Sequence, residues 1–205
     1  MQVTDIQKFD IVGYNDAVEM MSALQMQRIN EEISDTLLIM EHPEIVTVGP
    51  RARNDGIRPP EDYATQAVDR GGGLTWHGPG QLVVYPIIHW NKEDEKSVAS
   101  IIYKLEEWVI ESLSILGIEG CRDERMQGVW VEGKKICSIG LSFLRWVSRH
   151  GLTINYNTPT GRVENLAGCG LAESTTTSLH RLNYSVSRRD LEDALLSVYH
   201  KCLNR

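Results

Sequence analysis

The sequence predicts an α+β domain of mixed β-sheets flanked by helices, and three observations carry that prediction. Helical apolar spacing recurs in three separated segments. Short β-branched runs lie between them. A chain of 205 residues with 41% apolar and 24% charged side chains can also bury a substantial core. Residues 1–205 are expected to form one domain, since neither a repeat nor a low-complexity linker divides them.

Asn15 is expected to cap a first helix that carries Val18, Met21, Leu24, Gln25 and Ile29 at helical spacing. The runs 37–40 and 45–48, punctuated by Pro43 and Gly49, suit strands, and residues 50–63, with Gly56 and Pro59-Pro60, read as a loop. Ala67-Val68 reads as a short strand entering the Gly71-Gly72-Gly73 turn, and the mostly apolar run 81–90 reads as a buried strand. From Ser97 onward, Ile101, Leu105, Trp108, Val109, Leu113 and Leu116 share one helical face, and Gly117 is placed to stop the helix. Residues 128–157 predict two or three strands, with Glu132-Gly133 as a hairpin turn and a second reversal near His150-Gly151. Ser187 and Asp190 have capping-box spacing before Leu191, Leu195, Val198 and Cys202, which predicts a closing helix.

Charge and composition exclude several classes. Lys plus Arg number 21 against 28 Asp plus Glu, a net charge of -7 with no basic run, which opposes general binding to nucleic acid. No apolar stretch approaches the roughly 20 residues that span a bilayer, and the start of the chain lacks the basic and apolar regions of a signal peptide. No membrane contact and a cytoplasmic location are therefore expected. Cys121, Cys137, Cys169 and Cys202 read as thiols, and without a CxxC pair or closely spaced histidines no metal is expected.

Three segments carry more polar and glycine residues than a core requires. Arg70, Gly71, Gly72, Gly73, Leu74, Thr75, Trp76 and His77 run into Gly78-Pro79-Gly80 and Gln81, where bare backbone can approach a ligand closely. The pattern is neither a P-loop nor a dinucleotide fingerprint, and the glycines alone also suit a tight surface turn. In the second segment, alternation along a strand sends Lys135, Cys137 and Ile139 to one face and Lys134, Ile136 and Ser138 to the other, followed by Gly140 and later by His150, Gly151, Leu152 and Thr153. Those lysines suit a hydrated hairpin end as well as a site, and His150 suits a satisfied turn histidine. In the third, Cys169 stands between Gly168 and Gly170, where a thiol is reachable as a nucleophile or is simply an inert loop residue. The other three cysteines lie in apolar or periodic segments and read as buried packing residues.

Together these stretches resemble the lipoate-protein ligase B or octanoyltransferase family. The resemblance runs from Glu41-His42-Pro43 through the segment 70–81, Tyr85-Pro86, Gly128-Val129-Trp130, Lys135-Ile136 and His150-Gly151-Leu152 to Cys169-Gly170 and Thr177-Ser178-Leu179. His77-Gly78-Pro79-Gly80-Gln81 is its most specific part. Leu74, Trp76 and Ala167-Gly168 depart from the family's usual residues, which bears on the acyl pocket and the pose of the thiol.

The resemblance implies a fold like the catalytic domain of biotin and lipoate ligases. It implies an octanoyltransferase using no cofactor, with octanoyl-acyl carrier protein as donor. Its acceptors would be the lipoyl domains of 2-oxoacid dehydrogenase E2 subunits and the glycine cleavage H protein. Cys169 matches the family's acyl-thioester nucleophile and Lys135 its partner. Residues 70–77, Ser138, Ile139, Gly140, Gly151, Leu152 and Thr153 match its substrate-contacting segments, with His150 and Gln81 in support. Arg51, Arg53, Arg58, Arg145 and Arg149 are the candidate basic surface for acidic partners. Competing readings are an ATP-dependent ligase on the same fold, a non-catalytic carrier-binding module, and a cysteine hydrolase using His77 or His150.

Overall fold

In the computed structural model, which describes residues 4–166 and 175–205, nine strands divide into two sheets. They are β1 (Asp5–Ile11), β2 (Thr36–Glu41), β3 (Ile45–Val48), β4 (Thr65–Ala67), β5 (Leu74–His77), β6 (Gln81–Ile87), β7 (Val129–Val131), β8 (Lys134–Leu144) and β9 (Val147–Asn155). The larger sheet has the order β1-β2-β6-β9-β8-β7, antiparallel except where β1 lies parallel to β2. The smaller sheet has the order β4-β3-β5. Four helices accompany them: α1 (Tyr14–Ile29), α2 (Pro50–Asn54), α3 (Val98–Ile115) and α4 (Arg188–Leu203).

Side-chain alternation explains the layering. Leu37, Ile39, Leu82 and Val84 of β2 and β6 pack beneath α3 and α4, in a cluster with Trp108, Leu195 and Tyr199. The intervening Leu38, Met40, Val83 and Tyr85 pack on the other face against Ala17 and Met21 of α1. Covered on both faces, these central strands are apolar at nearly every position, which is why their runs read as continuous rather than alternating. Val46, Leu74 and Trp76 of the small sheet enclose a third cluster with Ala52, Tyr63, Val163 and Leu166.

The helices from Ser97 and Ser187 form as the sequence predicts, each capped by that serine's side chain. The Glu132-Gly133 hairpin also forms, with both residues at positive φ between the paired Val131 and Lys134. Other expectations change. α1 starts at Tyr14 with Gly13 before it, and Asn15 sits inside the helix, accepting a hydrogen bond from Gln66 at 2.7 Å. Pro50 opens a short helix where a loop is expected, since its fixed φ and missing N–H suit a first turn. Strand β1 lies at the sheet edge with most side chains exposed, so it lacks the apolar run that marks a strand. Residues 74–77, read as part of the glycine turn, pair with β3 as strand β5. The second reversal falls at Arg145-Trp146, between the paired Leu144 and Val147, not at His150-Gly151. Both turn residues have positive φ, 48° and 60°, without the glycine or asparagine that usually announces such a turn.

Candidate active site

The glycine turn is fastened on two sides. Arg70 is buried, and its guanidinium donates to the Thr47 and Gly73 carbonyls at 3.1 Å, to Thr47 Oγ1 at 2.6 Å and to the Gly71 carbonyl at 3.0 Å. The Gly71 amide donates to the Leu141 carbonyl at 2.9 Å, so a turn of the small sheet rests on β8 of the large one. The approach needs glycine on β8: a Cβ on Gly140 would lie 2.9 Å from the Gly71 carbonyl oxygen.

From His77 a hydrogen-bond chain runs through the interior. His77 Nδ1 lies 2.9 Å from Gln81 Oε1, and Gln81 Nε2 donates to the Trp76 carbonyl and to Asn155 Oδ1, both at 2.8 Å. Since Gln81 uses its amide hydrogens there, its oxygen must accept, and His77 carries its proton on Nδ1. Asn155 donates to the Thr177 carbonyl at 3.0 Å, and the Thr177 amide donates to the Lys135 carbonyl at 2.9 Å. Burial first, then the neighbouring His42 and Arg70, hold the His77 imidazolium well below its usual pKa, so the ring is neutral.

A second fixed chain borders it. His42 Nδ1 donates to the Val12 carbonyl at 2.7 Å, leaving Nε2 to accept from the Tyr85 hydroxyl at 2.7 Å. Burial lowers the pKa of His42, and it raises Tyr85 well above the usual phenol range. The Tyr14 ring stands 5.2 Å from that of His42 and 5.5 Å from that of His77, and burial pushes its phenol up to about 12.

These groups line a small cavity between the sheets, walled by Tyr14, Arg70, Thr75, His77, Tyr85, Ser138, Gly140, His150, Gly151 and Thr153. Eight of those ten belong to the segments singled out from the sequence. Ser138 pairs with Thr153 and Gly140 with Gly151 across β8 and β9, so one sheet face supplies four of them. The same alternation sends Ile139 and Leu152 to the core beneath α3 and α4, and Leu74 and Trp76 into the small-sheet core. Gln81 stands behind His77 rather than in the wall. Tyr14 and Tyr85 escaped sequence reasoning as lining residues. Tyr14 carries no local signal, whereas Tyr85 stands in the quoted Tyr85-Pro86 pair.

Lys135 is 5% exposed, while Lys134 is exposed. The simple alternation does not carry through, because the register slips between Val129 and Trp130 and leaves Ile136 without a cross-strand partner. Ile136 and Cys137 both enter the core as a result, and the phase changes between Lys135 and Ser138. The Lys135 stem passes over Gly128, where a Cβ would fall 2.7 Å from Cε. Its amide and carbonyl hydrogen-bond to Thr175 and Thr177, each at 2.9 Å.

Cys169 lies outside the described residues, which resume at Thr175 beside Lys135. Of the other thiols, Cys137 is buried and burial pushes its pKa up to about 12, which leaves it unreactive. Cys202 is half-buried, but Cys121 is exposed, against the expectation of a packing residue, because its short bridge to Trp130 lies at the sheet edge. Among the described residues no group of three or more His, Cys, Asp or Glu could hold a metal ion, and no helix is long and apolar enough to cross a membrane.

This fold, in which a turn of the small sheet rests on the larger one, is similar to that of solved lipoate-protein ligases. A crystal structure of lipoate-protein ligase A bound with ATP superposes with a TM-score of 0.74 at 14% identity, covering 100% of this chain and 86% of that one. The model of the lipoyl protein ligase A/B catalytic domain matches residues 13–200, and the chain belongs to that family. Within it, the chain is 39% identical to an octanoyltransferase of Rubrobacter xylanophilus, covering 94% of this chain and 90% of that protein. It is 38% identical to an octanoyltransferase of Syntrophobacter fumaroxidans, covering 84% and 78%.

Proposed function

We propose that this protein is an octanoyltransferase of protein lipoylation, taking its acyl group from acyl carrier protein and passing it to a lysine of a lipoyl domain. The observation that carries this reading is the 39% identity to an octanoyltransferase across nearly the full length of both chains. The cavity supports it, because Arg70, Thr75, His77, Ser138, Gly140, Gly151 and Thr153, which match the family's substrate-contacting segments, wall it together. On this reading, residues 1–205 act as one catalytic domain.

The chemistry assigns Cys169 as nucleophile and Lys135 as its partner. A free thiol near pKa 8.5 is only a few per cent thiolate at neutral pH, and an adjacent ammonium favours the anion. The Cys169 thiolate adds to the donor's thioester carbon, the bond to the carrier sulfur breaks, and Lys135 gives that sulfur its proton. The acceptor lysine then attacks the new thioester, an amide bond forms, and Cys169 leaves as thiolate. One of the two protons lost by the acceptor ammonium restores Lys135, and the other goes to solvent. Thioester exchange is nearly isoenergetic and amide formation is downhill, so neither step calls for ATP. E2 lipoyl domains and the glycine cleavage H protein are the proposed acceptors, reached in the cytoplasm.

Intact-mass spectrometry after incubation with octanoyl carrier protein, without ATP, tests the reading. An octanoyl adduct that moves to an added lipoyl domain is expected. Transfer only from free octanoate plus ATP would instead identify a ligase, and release of octanoate to water a hydrolase.

A further inference from the structure

Consecutive strand residues point to opposite faces, yet Arg149 and His150 both reach the carboxylate of Asp69. His150 Nε2 lies 2.8 Å from Asp69 Oδ1, and Arg149 forms an ion pair with Oδ2. They converge because His150 has φ 60°, the left-handed region, which costs a non-glycine residue roughly 1–2 kcal/mol. The Asp69 side chain is 58% exposed, so the contact is not required to neutralise a buried charge. Because the carboxylate accepts a hydrogen bond from Nε2–H, the neutral ring keeps Nδ1 as an acceptor, and that nitrogen is buried with no partner among the described residues. Backbone strain and an unmade hydrogen bond both run against stability.

The neighbours show what this arrangement serves. Asp69 directly precedes Arg70, and His150 directly precedes Gly151; both followers wall the cavity. His150 pairs with Leu141, whose carbonyl accepts from the Gly71 amide. The turn is thus held at one register position twice, by main chain to β8 and by side chain to β9. We propose that Asp69 and His150 are positioning residues for acyl transfer, which together fix the glycine turn against β9 and set the width of the acyl cavity. This inference rests on the acyl-transfer reading.

The test compares wild type, His150→Gly, Asp69→Asn and the double variant in octanoyl transfer from carrier to lipoyl domain and in thermal unfolding. Glycine accepts φ 60° freely, so His150→Gly removes imidazole and strain together. The expected result is an equal or higher Tm for His150→Gly, with KM for the octanoyl donor raised at least tenfold and kcat changed less than threefold. Asp69→Asn should follow in the same direction, and the double variant should be no worse than the larger single one. Unchanged KM in both single variants, additive losses, or a fall in kcat alone would each overturn the positioning role. Calorimetry of a non-cleavable octanoyl thioether binding to wild type and His150→Gly tests the cavity without turnover. Weaker binding by His150→Gly supports the pair, even if wild type proves to transfer no octanoyl group and the acyl-transfer reading fails.

Discussion

Gly140→Ala probes the contact between the glycine turn and β8 with the smallest available change. The added methyl would lie 2.9 Å from the Gly71 carbonyl oxygen and 3.1 Å from Arg70 Cδ. Carbon-to-oxygen contacts settle at about 3.3–3.6 Å, so the turn must retreat by roughly 0.4–0.7 Å. The hydrogen bond from Gly71 to Leu141 and the four bonds of the Arg70 guanidinium resist that movement. Overpacking of this kind costs about 1–3 kcal/mol, and the edge position of the turn favours the lower end. Since a misplacement of about 1 Å at a reacting group can cost roughly a hundredfold, a shift of half that size predicts about a tenfold loss of kcat/KM. Gly133→Ala is the control: its φ of 72° makes alanine strained, but nothing lies within 4 Å of the new methyl. It should lose about 1 kcal/mol of stability and keep its kcat/KM. Octanoyl transfer kinetics and urea unfolding of the two variants check both statements. Wild-type kcat/KM in Gly140→Ala, or an equal loss in Gly133→Ala, would show that the turn's seat on β8 does not govern the cavity.

Cys169→Ser should abolish the hydroxylamine-labile octanoyl adduct, whereas Cys137→Ser should retain it, because the Cys137 thiol is buried and held protonated; intact mass reads both. Lys135→Met should slow acylation and transfer by orders of magnitude while Lys134→Met stays near wild type, and equal behaviour of the two would refute the assignment. Burial lowers the pKa of His42, His77 and His150, so the unfolded chain binds more protons than the folded one once the pH drops below about 6.5. Their contribution is complete above that value, and denaturant unfolding should show stability falling from pH 7.5 to 5.5. A flat or rising profile would mean that these rings are charged in the fold.

What the sequence made legible follows from where each signal lives. Ser97 and Ser187 announce their helices because a cap is a local bond between residues three apart. Strand β5 was hidden because residues 74–77 follow three glycines directly, and only pairing with β3 makes them a strand. The reversal was misplaced because His150 has the positive φ of a turn residue while standing within a strand, and Arg145-Trp146 has it with no residue that signals it. For the site, alternation correctly put Ser138 on the face opposite Ile139, but a register slip at Ile136 broke the argument that tied Lys135 to Cys137. Tyr14 reaches the cavity through the packing of α1 on β6 and β9, which no local pattern encodes.

The charge problem is also changed by the structure. A net charge of -7 would repel acidic carriers, and five arginines were candidates to offset it locally. Two of them serve the fold or the cavity: Arg53 donates to the Val48 and Val68 carbonyls, and Arg149 holds Asp69 and Ser22. Arg51 forms an exposed 3.8 Å pair with Asp55, a contact of small worth in solvent, and its amide donates to the Gly72 carbonyl, which sets it beside the turn. Arg58 is exposed, with no ion pair among the described residues, on the segment that follows. Arg145 is exposed at the β8–β9 reversal, so beside the glycine turn a docking surface for a carrier narrows to Arg51 and Arg58. Charge reversal at both should raise KM for octanoyl carrier protein several-fold while leaving a small octanoyl thioester unaffected, and that difference should shrink as salt shortens the screening length to below about 8 Å. Arg149→Glu should instead weaken both donors alike, because it breaks the Asp69 contact that seats the turn. Equal losses with both donors in the Arg51 and Arg58 variant would move the docking surface elsewhere.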